Sequence, residues 1–264
     1  MIKLIACDMD GTLLNEEGKI SNEFFDVFHK ITEKNIKFAV ASGRQYYQLV
    51  NNFRHIKDEV IYIAENGTIV KYNGEEIHSC PIERKYIPEV IRDAKAIEGV
   101  YLVLCGKKCA YIDTNEKKIL SEVEKYYLRH EIVDNFSEVD DDILKIAVMD
   151  FKGAADNSNP VLYPKWKDRL KVSVSGEIWL DIYNKDANKG IALEILQKRF
   201  GIRKEETMAF GDYFNDIEML MAAKYSYAME NAPEGVKKHA NFVAKSNRDN
   251  GVVEVIEEKI LKAV

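Results

Sequence analysis

The sequence predicts an α/β fold, with a doubly wound, Rossmann-like parallel-sheet core and a second, inserted α+β domain. Three observations support this. Short apolar runs without helical period, such as Leu4-Ile5-Ala6-Cys7 and Val60-Ile61-Tyr62-Ile63-Ala64, alternate with amphipathic stretches. That is the pattern of strands buried on both faces beneath crossover helices. From about Pro81 to Asn184 the rhythm changes to a mixed α+β order and then resumes. Polar residues collect where the outer apolar runs stop, and ligands bind at the carboxyl ends of strands in open parallel sheets. The expected domains are a discontinuous core, 1–80 and 185–264, and an insert, 81–184, with chain crossings near Cys80 and Asn184.

Taken in order, the first strand is Leu4–Cys7 and ends at Asp8-Met9-Asp10-Gly11-Thr12-Leu13-Leu14. Ser21 caps a helix whose Phe24, Phe25, Val27, Phe28 and Ile31 form an apolar face. Lys37–Ala41 is a strand ending at Ser42-Gly43-Arg44, about Gln45 to Phe53 is a helix, and Val60–Ala64 is the third strand. Asn73-Gly74 joins two strand-like runs, a type I′ hairpin signal. The insert reads as a helix (Ile87 to Ile97), two strands around Gly106-Lys107-Lys108, and a helix (Asn115 to Arg129). A strand (Lys145 to Met149), a helix around Val161 to Arg169, and a hairpin turning at Gly176 complete it. The core then resumes with a helix from Gly190 to Phe200 stopped by Gly201, and a strand Thr207–Phe210 ending at Gly211-Asp212. A helix from Ile217 to Ala223, strands at Tyr225–Met229 and Phe242–Ala244, and a helix from Val252 to Leu261 follow.

Composition sets bounds on partners and compartment. With 38 Lys and Arg against 44 Asp and Glu, the formal charge is −6, and the scatter of both signs argues against a nucleic-acid footprint. No apolar run approaches the ~20 residues of a membrane span. The first strand begins next to Met1 with no secretory signal ahead of it. The cysteines are few, Cys7, Cys80, Cys105 and Cys109, so a reducing cytoplasm is the expected location. Cys105 and Cys109 flank a turn and lack companions at zinc spacing.

Four positions at strand ends carry the chemistry. Asp8 and Asp10 lie two apart, so on an extended backbone both face one volume. Close carboxylates repel, and one can stay ionised as nucleophile or metal ligand while the other carries a proton as general acid. A solvated acidic turn is the plainer reading, and a calcium loop fits poorly because Thr12-Leu13-Leu14 occupies the ligand offsets. Ser42 with Gly43 suits a phosphoryl oxygen, or caps the next helix. Lys189 at a helix start could offset charge on a transferring phosphoryl group, or be a surface charge. Asp212 with Asn215-Asp216 suits Mg2+, with helix capping as the competing explanation.

In this order the motifs resemble the haloacid dehalogenase superfamily, and the long insert after the third strand resembles the α/β cap of its Cof-type, sugar-phosphatase-like branch. The resemblance implies Asp8 as the nucleophile that becomes an aspartyl-phosphate and also ligates Mg2+. It implies Asp10 as the acid and then the base, with its backbone carbonyl on the metal, and Asp212 as a direct ligand. Met9 (through its amide), Ser42, Gly43, Lys189 and Asn215 would hold the phosphoryl oxygens. Thr12, Arg44, Asn66 in Glu65-Asn66-Gly67, and Asp216 are secondary candidates. One departure is Glu230, where many relatives carry Gly.

The implied activity is Mg2+-dependent hydrolysis of small phosphorylated metabolites, sugar phosphates foremost. A phosphomutase would use the same motifs but must exclude water. A phospho-receiver module also uses Asp, Mg2+, a hydroxyl and Lys, but has no acid two residues beyond its aspartate and no inserted domain. The insert carries Trp179, Asp181 and Tyr183 in alternation on its last strand, with core packing the expected role of Trp179.

Overall fold

A computed structural model describes residues 1–262. The chain forms two compact units. One comprises Met1–Gly43, Leu49–His78 and the chain from Asn188 onward; the other comprises Arg44–Gln48 and Ser79–Ala187. The division thus falls a few residues outside the crossings expected at Cys80 and Asn184, and Arg44–Gln48 groups with the second unit.

In chain order the strands are β1 (Leu4–Asp8), β2 (Lys37–Ala41), β3 (Val60–Ala64), β4 (Ile69–Tyr72), β5 (Glu75–Ser79), β6 (Val100–Gly106) and β7 (Ala110–Ile112). Then come β8 (His130–Ile132), β9 (Ile143–Asp150), β10 (Leu170–Val174), β11 (Trp179–Asn184), β12 (Thr207–Gly211), β13 (Tyr225–Met229) and β14 (Phe242–Ala244). The first sheet runs β14-β13-β12-β1-β2-β3-β4-β5. It is parallel from β14 to β3, and β4 returns antiparallel to β3. From β1 the chain winds outward through β2 and β3, and on its return starts again at β12 on the other flank of β1. The crevice between the carboxyl ends of β1 and β12 is therefore the switch point, where a doubly wound sheet takes its ligand.

The packing explains why these runs are strands. Every residue of β1, β3 and β12 is buried, so period-two alternation has no solvent face to mark. On one side Leu4, Ala6, Ala39, Ile61 and Ala209 pack with Ala192, Leu193 and Leu196 of the helix Lys189–Phe200 and Met219 and Leu220 of the helix Ile217–Met221. Phe24 and Phe28 belong to the helix Asn22–Glu33. Their rings stand 5.1 and 5.9 Å from the Phe38 ring. Ser21 caps that helix, its side chain accepting from the Phe24 N–H. Full burial of a phenylalanine side chain such as Phe24 is worth roughly 1.5–3 kcal/mol.

The second unit holds the sheet β10-β11-β9-β6-β7-β8. Its pairs are antiparallel except β7 with β8. Trp179 lies in an apolar cluster with Val103, Tyr127, Ala147 and Met149. Asp181 accepts from Lys145 at 3.4 Å, both side chains buried.

Three segments depart from expectation. The helix expected over Asn115 to Arg129 spans only Lys117–Val123. The Arg129 carbonyl accepts from the Ala110 N–H and the chain enters β8, so sheet pairing overrides the helical pattern. A short helix, Glu234–Lys237, lies where none was expected. The last helix is regular over Gly251–Ile256 and widens into a π-type turn over Glu257–Leu261.

Candidate active site

β1 stops because residues Met9–Leu13 form one π-type turn, closed by the Leu14 N–H donating to the Met9 carbonyl at 2.8 Å. Gly11 makes the turn possible. Its φ is +78°, and a Cβ there would collide with the Asp212 carboxylate. Asp8 is left buried at the strand end, while Asp10, two residues on, is exposed.

Lys189 leaves the first turn of its helix, where the Asn188 side chain caps by accepting from the Ile191 N–H at 2.8 Å. Its side chain is 1% exposed. Nζ donates to Asp8 Oδ1 at 2.5 Å and to Asp216 Oδ1 at 2.6 Å. A cation at a helix N-terminus opposes the helix dipole, so these two carboxylates hold it there. Burial alone would pull the Lys189 ammonium down, but Asp216 and Asp8 outweigh it and raise its proton affinity above that of an ordinary lysine. Lys189 is thus a buried charge rather than a surface one.

Asp216 carries the loop after β12. Its Oδ2 accepts from the backbone N–H groups of Asp212 and Tyr213, each at 3.0 Å. Asp212 faces β1, with Thr12 Oγ1 donating to its Oδ1 at 2.9 Å. The ligand oxygens of Asp8, Asp212 and Asp216 lie within 4.8 Å of one another. Burial first, then the charge of Asp216, pushes the Asp8 carboxyl well above the usual range, with Lys189 pulling the other way. The same order of causes pushes Asp212 up to about 6, against the Thr12 hydrogen bond and Lys189, with Asp10 adding slightly. Clustered carboxylates facing a single ammonium have the donor chemistry and the charge imbalance that suit a hard divalent cation.

Among the remaining expected residues, hydrogen bonds join Ser42 to Asn66 and Asn66 to Asn215. The Ser42 N–H donates to the Ile63 carbonyl, and its own carbonyl accepts from the Asn66 N–H, both at 2.9 Å. Asn66 Oδ1 accepts from Asn215 Nδ2 at 3.1 Å. The Met9 side chain is fully buried. Arg44 belongs to the second unit, and Glu230 is exposed. Two residues escaped sequence reasoning. Asn231 Nδ2 donates to the Gly11 carbonyl at 2.9 Å, and Asn188 caps the helix that presents Lys189. An Asn just before Lys-Gly carries a readable capping signal, whereas Asn231 carries none.

Carboxylates and a buried ammonium gathered at the switch point of a doubly wound sheet place the chain among the α/β proteins whose ligand site lies there. The sequence profile of haloacid dehalogenase-like hydrolases matches residues 5–256. The 5-amino-6-(5-phospho-D-ribitylamino)uracil phosphatase YbjI of Escherichia coli (strain K12) is 35% identical over 99% of this chain and 97% of its own. SMU.1108c from Streptococcus mutans UA159 superposes with a TM-score of 0.88 at 33% identity, covering 99% of this chain and 100% of that one. TM0651 from Thermotoga maritima does so with 0.88 at 30% identity, covering 98% and 97%. The chain belongs to the haloacid dehalogenase-like hydrolases, as a Cof-type phosphatase.

Proposed function

We propose that this protein is a Mg2+-dependent phosphomonoesterase that hydrolyses small phosphorylated metabolites, sugar phosphates foremost, through an aspartyl-phosphate on Asp8. The observation that carries the reading is Lys189, buried and in contact with Asp8 and Asp216, with the Asp212 carboxylate alongside. A buried ammonium against an aspartate at a strand end suits charge stabilisation of a phosphoryl group transferring to that aspartate.

In the first step an Asp8 carboxylate oxygen attacks phosphorus in line, the bond to the leaving oxygen breaks, and Asp10 gives that oxygen its proton. In the second step Asp10 takes a proton from water, the water oxygen attacks phosphorus, and the acyl-phosphate bond breaks to return the Asp8 carboxylate and free phosphate. The Met9 and Gly43 backbone, the Ser42 hydroxyl, Lys189 and Asn215 would bind the phosphoryl oxygens. Asp8, Asp212 and the Asp10 carbonyl would hold Mg2+, with Asp216 fixing the loop that carries Asp212. When bound, the cation would supply positive charge that offsets the negative charge of the carboxylates and the phosphoryl group.

The Escherichia coli relative is named for a substrate that carries a phosphorylated ribityl chain, which supports a sugar-phosphate-like leaving group here. Such metabolites, and the four free cysteines, fit a cytoplasmic setting. Among the described residues no helix is long and apolar enough to cross a membrane. The test is a panel of phosphorylated metabolites assayed for free phosphate with and without Mg2+. Cation-dependent release is expected. An isomerised phosphate ester in place of free phosphate would make the protein a mutase, and no turnover of any ester would overturn the reading.

A further inference from the structure

The loop after β3 has an unusual backbone. Glu65, Asn66 and Gly67 follow one another with φ of 48°, 59° and 91°. Left-handed backbone at non-glycine residues is strained and persists only where the surroundings fix it. Thr68, whose N–H and hydroxyl both donate to the Glu65 carbonyl, and Asn66, 8% exposed, help to fix it here. The Asn66 N–H donates to the Ser42 carbonyl at 2.9 Å, tying the loop to the turn after β2. Its side chain lies against Gly43, where a Cβ would stand 3.1 Å from Oδ1 and 3.2 Å from Nδ2 and press on the amide. On its far side Oδ1 accepts from Asn215 Nδ2 at 3.1 Å.

β3 and the strand before Asn215, β12, lie three places apart in the sheet, with β1 and β2 between them. One buried carboxamide therefore joins loops on either side of the strand that ends in Asp8. An asparagine amide has two N–H donors. Donating one to Asn66 sets the orientation of the exposed Asn215 side chain and leaves the other available to a ligand oxygen.

We infer that Asn66 is a positioning residue, which sets the Asn215 carboxamide and the Ser42-Gly43 backbone at a fixed separation so that both can hold one phosphoryl group over Asp8. This rests on the phosphatase reading above. The left-handed loop is then the means by which β3 delivers a side chain across two strands.

A double-mutant cycle tests the inference. Asn66→Gly accepts the positive φ and keeps the backbone N–H, so it removes the carboxamide alone. In the otherwise native protein it should lower kcat/KM roughly three- to tenfold, the scale of one hydrogen bond, with Tm within about 2 °C of native. In an Asn215→Ala background the same change should cost less than about twofold, because residues acting through one another do not add. An equal loss in both backgrounds, or none in either, would overturn the inference. Calorimetric binding of inorganic phosphate to the same four proteins repeats the cycle without turnover. Coupling in phosphate affinity without turnover of any ester would uphold the positioning role while removing the phosphatase reading. Turnover without coupling, or no phosphate binding at all, would remove the positioning role.

Discussion

Replacing Lys189 with methionine probes the centre of the site, because the ammonium is in contact with Asp8 and Asp216 and almost fully withdrawn from water. At an effective dielectric of about 20, each contact at such range is worth on the order of 5 kcal/mol before desolvation is counted. Burial of all three groups offsets most of that attraction. Methionine keeps the volume and removes the charge, leaving two buried carboxylates facing each other. Breaking a buried pair in this way costs roughly 3–5 kcal/mol, a fall in Tm of about 10 °C for a chain of this length. The loss should depend on pH. Without the ammonium, Asp8 is pushed further above its ordinary range, and a carboxyl raised on folding stabilises at low pH and loses that contribution as pH rises through its folded value. The gap in Tm between native protein and variant, measured by calorimetry in a chelator, should therefore be wider at about pH 8 than at about pH 5. Activity should fall by about 10²–10³. A variant that melts within about 2 °C of native at both pH values would refute the reasoning, since it would mean the three groups do not share a buried network.

Other expectations follow from the same geometry. Gly11→Ala places a methyl group against the Asp212 carboxylate in a left-handed turn, and should weaken Mg2+ binding measured by calorimetry while melting lower than native. Asp10→Ala should slow both formation and breakdown of the intermediate by about 10²–10⁴, read from burst amplitude and steady-state rate together; loss in one step alone would contradict a shared acid and base. Asp212, raised to about 6, must be ionised to hold a cation, so Mg2+ affinity should fall by at least about tenfold per pH unit below that value. A flat profile between about pH 5 and 7 would show that Asp212 does not bear on the metal.

The parallel core was legible because its strands bury both faces. Lys37–Ala41, Val60–Ala64 and Tyr225–Met229 were bounded correctly by apolar runs that end at polar or glycine residues. The Ser21 and Gly201 signals fixed two helix ends because caps are local chemistry. In the second unit, Asn115 to Arg129 has helical spacing throughout, yet the helix stops at Val123 and the chain turns to reach the β8 strand paired with β7. A periodic pattern holds no record of a distant strand that offers hydrogen bonds. The site divides the same way. Asp8, Asp212 and Lys189 stand at strand or helix ends with charges that need a reason, so the sequence points to them. The support from Asn231 to the Gly11 carbonyl, 220 residues away in sequence, exists only once the chain has folded. Gln45 likewise exchanges hydrogen bonds with the Arg129 backbone within the second unit, 84 residues distant.

Covalent capture of phosphate by Asp8 is the claim on which the others hang. A rapid-quench reaction with a turned-over ester and Mg2+, digested and read by mass spectrometry, should find a phosphoryl group on the peptide that contains Asp8. The Asp8→Asn variant, whose amide is no nucleophile, should show neither that adduct nor phosphate release. Release of phosphate by Asp8→Asn in a single turnover at near-native rate would contradict the account.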